Sequence, residues 1–128
     1  MILIDTHVWV NYSSQRHDEL SAAARNAIDT ADVIGISDIS CWEISMLVQK
    51  GRLKLRQGTL EWISDALLNP RLEVVPLSTE ILVIAPDMPD FHKDPADRMI
   101  AATCYLNGWP LVTRDRKLHT WDLIETIW

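Results

Sequence analysis

Four acidic residues stand where their carboxylates could converge on a divalent cation. Asp5 ends the apolar opening Met-Ile-Leu-Ile, and Asp115 ends the apolar run 110–114. Glu43 lies inside an apolar helical pattern, and Asp97 falls in the first turn of another. Carboxylates held a few ångströms apart oppose one another's ionisation, so a bound cation is needed to keep all of them ionised. An acidic, all-oxygen site is the kind that Mg²⁺ or Mn²⁺ prefers.

These acids also have structural explanations. Asp5 is equally suited to cap the helix that follows it, and Asp115 is a common type of turn residue. Glu43 is harder to explain in this way, because Met46 and Leu47 share its helical face. A carboxylate on an apolar face is costly to bury unless it is paired or bound to a metal. For Glu43 the alternative is therefore a buried salt bridge.

The segment HKDPADRMIAA (92–102) holds two acids with different expected roles. Asp94 precedes a proline, which favours the first helical position, so Asp94 is predicted to be the N-cap. Asp97 follows three residues after Asp94, at the third helical position, where an acid either completes a capping box or serves a second purpose. Because Ile100, on the same side of the helix, traces its buried face, we assign Asp97 to the site and Asp94 to the cap.

Other side chains near the acids could support the same chemistry. Thr113 lies two residues before Asp115 on the same side of a strand, where its hydroxyl group would be near the cation or its water. Guanidinium groups match phosphate oxygens with two hydrogen bonds. The candidates for phosphate contact are Lys93, Arg98, Arg114 and Arg116. For any one of these, surface solvation or pairing with an acid is the alternative.

Alternating strand and helix patterns must position these residues. The predicted strands are 1–5, 33–37, 72–77, 110–114 and 123–127, and the predicted helices are 7–12, 20–30, one ending near Lys50, 59–68, 80–85 and 95–107. The order predicts βαβ units with right-handed crossovers and a parallel sheet covered on both faces. The expected helix caps are Thr6 for the first helix, Asp38 or Ser40 for the third, and Ser78 or Thr79 for the fifth.

The carboxyl ends of parallel strands are where functional groups gather in such sheets. Asp5 and Asp115 both stand at predicted carboxyl ends. Strand-end geometry therefore predicts that these two acids meet.

Composition limits the other possibilities. The chain of 128 residues fits a single domain, 1–128, with a hydrophobic core. Its net charge of −6 argues against a general nucleic-acid coat protein. We expect no membrane span and no signal peptide, because the apolar runs are short and the N-terminus lacks basic residues. Cys41 and Cys104 are isolated, which predicts buried free thiols in a cytoplasmic protein.

The ordered segments ILIDTHVW, SCWEI, HKDPADRMIAA and LVTRD resemble the four acidic motifs of the PIN-domain ribonucleases. They are most similar to the VapC toxins of toxin–antitoxin pairs, and the resemblance spans the whole chain. It implies an α/β fold, a PIN-like three-layer α/β/α domain with a central parallel sheet of four to five strands. It also implies that Asp5, Glu43, Asp97 and Asp115 bind Mg²⁺ or Mn²⁺, with Thr113 at the hydroxyl position of the fourth motif.

The activity implied by this resemblance is endonucleolytic hydrolysis of RNA by a homodimer that a cognate VapB-type antitoxin silences. Two alternatives differ in class. A haloacid-dehalogenase-type phosphohydrolase would need an acid two residues after Asp5, where this chain has His7. A catalytically inactive PIN-like module, binding RNA or protein, would be marked by loss of one of the acids, and all four are present.

Overall fold

The computed structural model describes residues 1–88 and 94–128. These residues form five strands: β1 (Ile2–Ile4), β2 (Ile34–Ser37), β3 (Leu72–Val75), β4 (Leu111–Val112) and β5 (Thr126–Ile127). They also form seven α-helices: α1 (Thr6–Ser13), α2 (Ala22–Thr30), α3 (Asp38–Gln49), α4 (Thr59–Ala66), α5 (Thr79–Ile84), α6 (Pro95–Asn107) and α7 (Arg116–His119). The predicted elements are all found. Three short ones were not predicted: α7 and the 3₁₀ turns His17–Glu19 and Ala85–Asp87.

The strands form one sheet in the order β3-β2-β1-β4-β5, and each neighbouring pair is parallel. Adjacent residues of β1 belong to different cores, as the alternation of side chains along a strand requires. Ile4 packs with residues of α1 to α4, whereas Leu3 packs with residues of α5, α6 and α7. The predicted three-layer α/β/α fold with four to five parallel strands is confirmed.

The topological switch point, where the strand order reverses direction, lies between β1 and β4. From the central β1 the chain moves outward to β2 and β3, and then returns to the other side of β1 to form β4 and β5. The backbone N–H of Asp5 donates to the carbonyl oxygen of Val112 at 3.1 Å, which continues the β1–β4 pairing to the carboxyl edge. Ligand sites of open parallel sheets lie beyond such an edge.

Helix capping differs in part from expectation. Asp5, and not Thr6, is the N-cap of α1, and the Thr6 hydroxyl group instead donates to Ser40 Oγ at 3.0 Å. Helix α3 begins directly after β2 with Ser37 as its N-cap, so the expected cap at Asp38 or Ser40 is wrong, because both residues lie inside the helix. The expected cap at Ser78 is confirmed, because its side chain accepts from a backbone N–H of α5.

Helix α6 has the ends that its sequence predicts. Asp94 Oδ1 accepts the backbone N–H of Ala96 at 2.9 Å, and Pro95 occupies the first helical position. Gly108 follows the last turn in the left-handed conformation, with φ of 66°. That conformation costs glycine little and ends the helix.

The two cysteines are free thiols, with Cys104 buried and Cys41 partly buried. Among the helices that the structure describes, none has both the length and the apolar composition needed to cross a membrane.

Candidate metal centre

Asp5 is both a helix cap and a buried acid at the carboxyl edge of the sheet, with only 7% of its surface exposed. Its Oδ1 accepts the backbone N–H groups of His7 at 2.9 Å and Val8 at 3.2 Å. Its Oδ2 accepts a short hydrogen bond from the Thr113 hydroxyl group. The two explanations considered for this position are therefore compatible, because one oxygen caps α1 and the other faces the end of β4.

Thr113 connects two of the acids. Besides donating to Asp5, its Oγ1 accepts the backbone N–H of Asp115 at 3.1 Å. Asp115 in turn caps α7, because its Oδ1 accepts the backbone N–H of Lys117 at 2.8 Å. The turn after β4 is thus fixed by the same side chain that holds the Asp5 carboxylate.

Glu43 lies on the wall of the same cavity, in the middle of α3, and is 7% exposed. Burial raises the pKa of its carboxyl group, and a hydrogen bond with the Thr6 side chain partly offsets that increase. The neighbouring negative charges of Asp94 and Asp5 also raise this pKa. Glu43 therefore faces other acids, as a metal ligand would.

Three carboxylates come within reach of a single ion. One oxygen from each of Glu43, Asp94 and Asp97 lies within 4.8 Å of the others, with Glu43 buried, Asp97 partly buried and Asp94 exposed. These groups come from α3 and from the N-cap and first turn of α6. The donor set is entirely oxygen and acidic, which fits Mg²⁺ or Mn²⁺ and does not fit a thiolate- or imidazole-preferring ion.

The charges of the other four acids act on Asp97. The pKa of the Asp97 carboxyl group is raised from 3.8 to about 8, first by burial and then by the charges of Asp94, Glu43, Asp5 and Asp115. Burial raises the pKa of Asp5 as well, against the hydrogen bond from Thr113 that lowers it. With a pKa of about 8, the Asp97 carboxyl group keeps its proton at neutral pH, and a cation would take the place of that proton.

These acids open into one cavity of about 510 Å³. Its wall combines the acids with polar and cationic groups and an apolar portion, and the residues are Asp5, Glu43, Asp94, Asp97, Asp115, Thr6, His7, Asn11, Arg52, Arg114, Val8, Met46, Leu47 and Trp128. A wall that holds both these acids and two arginines suits a substrate that carries phosphates.

Residues 2–122 match the family described as the PIN domain. The chain belongs to the PIN domain family. Ribonuclease VapC22 from Mycobacterium tuberculosis (strain ATCC 25618 / H37Rv) is 36% identical over 132 residues, an alignment that covers 99% of this chain and 98% of that protein. The resemblance seen in the sequence is confirmed.

Solved structures share the fold of this PIN domain. VapBC2 from Rickettsia felis, bound to a DNA fragment from its promoter, superposes with a TM-score of 0.71 at 18% identity and covers 98% of this chain and 97% of that one. DNA-bound VapBC from Salmonella typhimurium gives a TM-score of 0.69 at 18% identity, with the same coverage.

The four predicted phosphate contacts are in different situations in this PIN domain. Arg114 is exposed and lines the cavity, whereas Arg116 is exposed on α7 and is not part of the cavity wall. Lys93 lies outside the described residues.

Arg98 has a structural use on the far side of α6. Its Nη1 donates to the carbonyl oxygen of Met88 at 2.8 Å and lies 3.4 Å from those of Ala85 and Pro86. The guanidinium group thus holds the backbone that precedes α6, and Arg98 is not among the residues lining the cavity.

Two features of the site were missed by the sequence reasoning. Asp94 was assigned only to the cap, yet its carboxylate both caps α6 and lies in the three-acid group. Arg52 was not among the expected phosphate contacts, yet it lines the cavity. A cap residue next to a ligand is a usable sequence signal for Asp94, whereas no local pattern shows that the Arg52 side chain lines the same cavity as the acids.

Proposed function

We propose that this PIN domain is a metal-dependent endoribonuclease and the toxin of a VapBC-type toxin–antitoxin pair. The observation that carries the proposal is the group of Glu43, Asp94 and Asp97 oxygens within 4.8 Å of one another. Asp5 and Asp115 share the same cavity. The relative of this chain that is named a ribonuclease matches it over nearly its full length.

We assign Asp5, Glu43, Asp97 and Asp115 as ligands of Mg²⁺ or Mn²⁺, and add Asp94 as a further ligand. When bound, a divalent cation would lower the pKa of a water molecule and neutralise charge that develops on the phosphodiester. Asp5 is suited to its part because two backbone N–H groups and Thr113 hold its carboxylate in one orientation. Preorganised ligands of this kind need no rearrangement during the reaction.

Cationic side chains on the cavity wall bind the substrate. Arg114 and Arg52 are exposed there, and their guanidinium groups suit the non-bridging oxygens of RNA phosphates. Among the three phosphate candidates that the structure describes, Arg114 is the one that lines the cavity. Arg116 and Lys93 are proposed only as contacts farther along the strand.

The proposed partners are RNA, a second copy of the chain and a cognate VapB-type antitoxin, in the cytoplasm. Large apolar side chains are exposed on α3, α4 and the turn after α4, with Trp42 58%, Leu60 80% and Leu68 78% exposed. Exposed apolar surface of this kind supports a protein interface. A solved structure with this fold, from Klebsiella pneumoniae, is named a toxin–antitoxin complex.

Cleavage of RNA tests the proposal. Purified protein is incubated with structured RNAs in Mg²⁺ or Mn²⁺ and then in EDTA, beside Asp5→Asn and Asp97→Asn. We expect cleavage that EDTA stops and that both variants lose, whereas Asp29→Asn, an exposed acid on α2, retains it. Cleavage that survives the chelator or either site variant would contradict the metal mechanism. An inactive module would bind RNA without cleaving it under any of these conditions.

A further inference from the structure

Helix α3 ends in a motif that directs a basic segment away from the cavity that the acids line, here named the catalytic cavity. Gly51 adopts the left-handed conformation with φ of 70°, and its N–H donates to the carbonyl oxygen of Val48 at 3.1 Å. The N–H of Arg52 donates to the carbonyl oxygen of Leu47 at 2.9 Å. This pair of bonds is a Schellman motif, which fixes the backbone of the residue that follows the glycine. Arg52 therefore begins the segment in a defined position on the cavity wall.

Beyond Arg52 the side chains alternate between the core and solvent. Leu53 and Leu55 are partly buried and pack against the core on the α1–α4 side of the sheet. Arg52, Lys54 and Arg56 are all exposed. This segment lies between α3 and α4, outside the helices and strands of the structure. The leucines thus anchor a row of three cations that points to solvent.

The row ends in a second cavity, of about 320 Å³, which Lys54 and Arg56 line together with Arg16. Within the described part of the chain, the wall of this cavity contains no carboxylate. Its other polar groups are hydroxyls and amides, from Ser13, Ser14, Gln15 and Gln57. In a chain with a net charge of −6, this is a local concentration of positive charge suited to an anion.

A Schellman motif positions Arg16, as the one after α3 positions Arg52. After α1, Gln15 has φ of 57°, and its N–H donates to the carbonyl oxygen of Tyr12 at 3.2 Å. The N–H of Arg16 donates to that of Asn11 at 2.8 Å, which completes a second Schellman motif. Left-handed backbone is unfavourable for a side chain such as glutamine. Gln15 adopts this unfavourable conformation in the turn that places Arg16 at the second cavity.

We propose that Arg16, Arg52, Lys54 and Arg56, the basic ribbon, bind the phosphates of the RNA strand as it leaves the catalytic cavity. This inference rests on the proposed ribonuclease function. The ribbon is continuous with the site, because Arg52 lines the catalytic cavity and Lys54 and Arg56 line the second one. Cations beside hydroxyl and amide groups suit phosphates and ribose hydroxyls of a single strand, without reading its bases.

Binding of RNA without cleavage tests the ribbon. Fluorescein-labelled oligouridylates of 4 and 12 nucleotides are titrated with the intact protein in EDTA, and anisotropy is read from 50 to 500 mM NaCl. The variants are Lys54→Gln, Arg56→Gln and the double variant. Arg25→Gln is the matched control, because Arg25 is an exposed cation on α2, outside the ribbon. Thermal stabilisation by Mn²⁺ is measured for each protein to verify that the acidic site is intact.

We expect the double variant to bind the 12-mer about tenfold more weakly at 50 mM salt, with the logarithmic salt slope reduced by about 1.4, since each phosphate contact on a single strand contributes about 0.7. The 4-mer, which fills only the catalytic cavity, should bind all variants equally. An unchanged salt slope for the 12-mer in the double variant, or the same loss of affinity in Arg25→Gln, would contradict the proposed role of the basic ribbon.

The two proposals fail in different ways. If the wild-type protein cleaves RNA but the double variant binds the 12-mer normally, the ribbon is wrong and the ribonuclease function stands. If the 12-mer depends on Lys54 and Arg56 but no RNA is cleaved in Mn²⁺, the ribbon stands and the catalytic proposal fails. Competition by oligoglutamate with the same affinity as RNA of equal charge would assign the ribbon to an acidic peptide and overturn the RNA proposal.

Discussion

The Thr113 hydroxyl group donates a hydrogen bond to the Asp5 carboxylate and joins the ends of β4 and β1 across 108 residues of sequence. The same oxygen accepts the backbone N–H of Asp115. Thr113 is fully buried, so this bond is shielded from competing water. One hydroxyl group thereby sets the orientation of one acid and the position of another.

Thr113→Val removes that hydroxyl group with almost no change in shape. Because the Asp5 oxygen and the Asp115 N–H both lose a partner, we expect the free energy of unfolding to fall by about 1–3 kcal/mol. Loss of a group that orients a ligand should also reduce RNA cleavage by about 10- to 100-fold. Denaturant unfolding and cleavage rates measure the two effects. Thr113→Ser, which keeps the hydroxyl group, should retain most of the activity; an equal loss in both variants would contradict this role.

The metal-free protein should become less stable as pH rises from about 4 to 8. Asp97 has a pKa of about 8 in the folded protein against 3.8 as an ordinary carboxyl group. Below pH 4 both states hold the proton, so its stabilising contribution is fully present. Between these values the folded state keeps a proton that the unfolded chain has released, and the contribution is lost as pH rises through 8.

Urea unfolding in EDTA at a series of pH values measures this dependence. Asp97→Asn removes one of the titrating groups, so its stability should vary less across the same window and exceed that of the wild type at pH 8. The slope should keep its sign, because burial raises the pKa of Asp5 and of Glu43 in the same direction. Asp29→Asn should follow the wild-type curve. A wild-type protein that gains stability from pH 4 to 8 would refute the linkage.

Metal binding should stabilise the folded chain directly. A divalent cation at about 100 times its dissociation constant raises the free energy of unfolding by about 2.7 kcal/mol when it binds only the folded state. We expect Mn²⁺ to produce such a shift at pH 7.5 and EDTA to reverse it. Glu43→Gln should lose most of the shift, whereas Glu80→Gln, an exposed acid on α5, should keep it. A full shift in Glu43→Gln would remove Glu43 from the ligand set.

Gln15→Gly should make the protein more stable. Gln15 occupies a left-handed conformation with φ of 57°, which costs a residue with a side chain about 1–2 kcal/mol and costs glycine little. Part of that gain is offset by the greater freedom of glycine in the unfolded chain, so we expect a net increase of about 0.5–1 kcal/mol. Gln15→Ala keeps the strain and should show no gain, and thermal unfolding of the two variants separates the outcomes.

The amino-acid sequence alone determined the order of elements and the ends of several of them. Short apolar runs predicted the strands, Asp94 and Pro95 predicted the start of α6, and Gly108 predicted its end. It also singled out Asp5 and Asp115 by their positions after apolar runs. These signals are local, because capping and side-chain alternation depend on residues a few positions apart.

Only the tertiary structure decided which acids share an ion site and which cations face it. Asp94 joins Glu43 because the first turn of α6 meets the middle of α3, and the rotation of one helix against another depends on the whole core between them. Arg98 and Arg114 are both arginines beside an acid in the sequence. The Arg98 side chain contacts backbone carbonyl groups, whereas Arg114 lines the cavity. The packing of α6 and the position of the end of β4 set these side-chain directions, and short-range sequence patterns do not predict them.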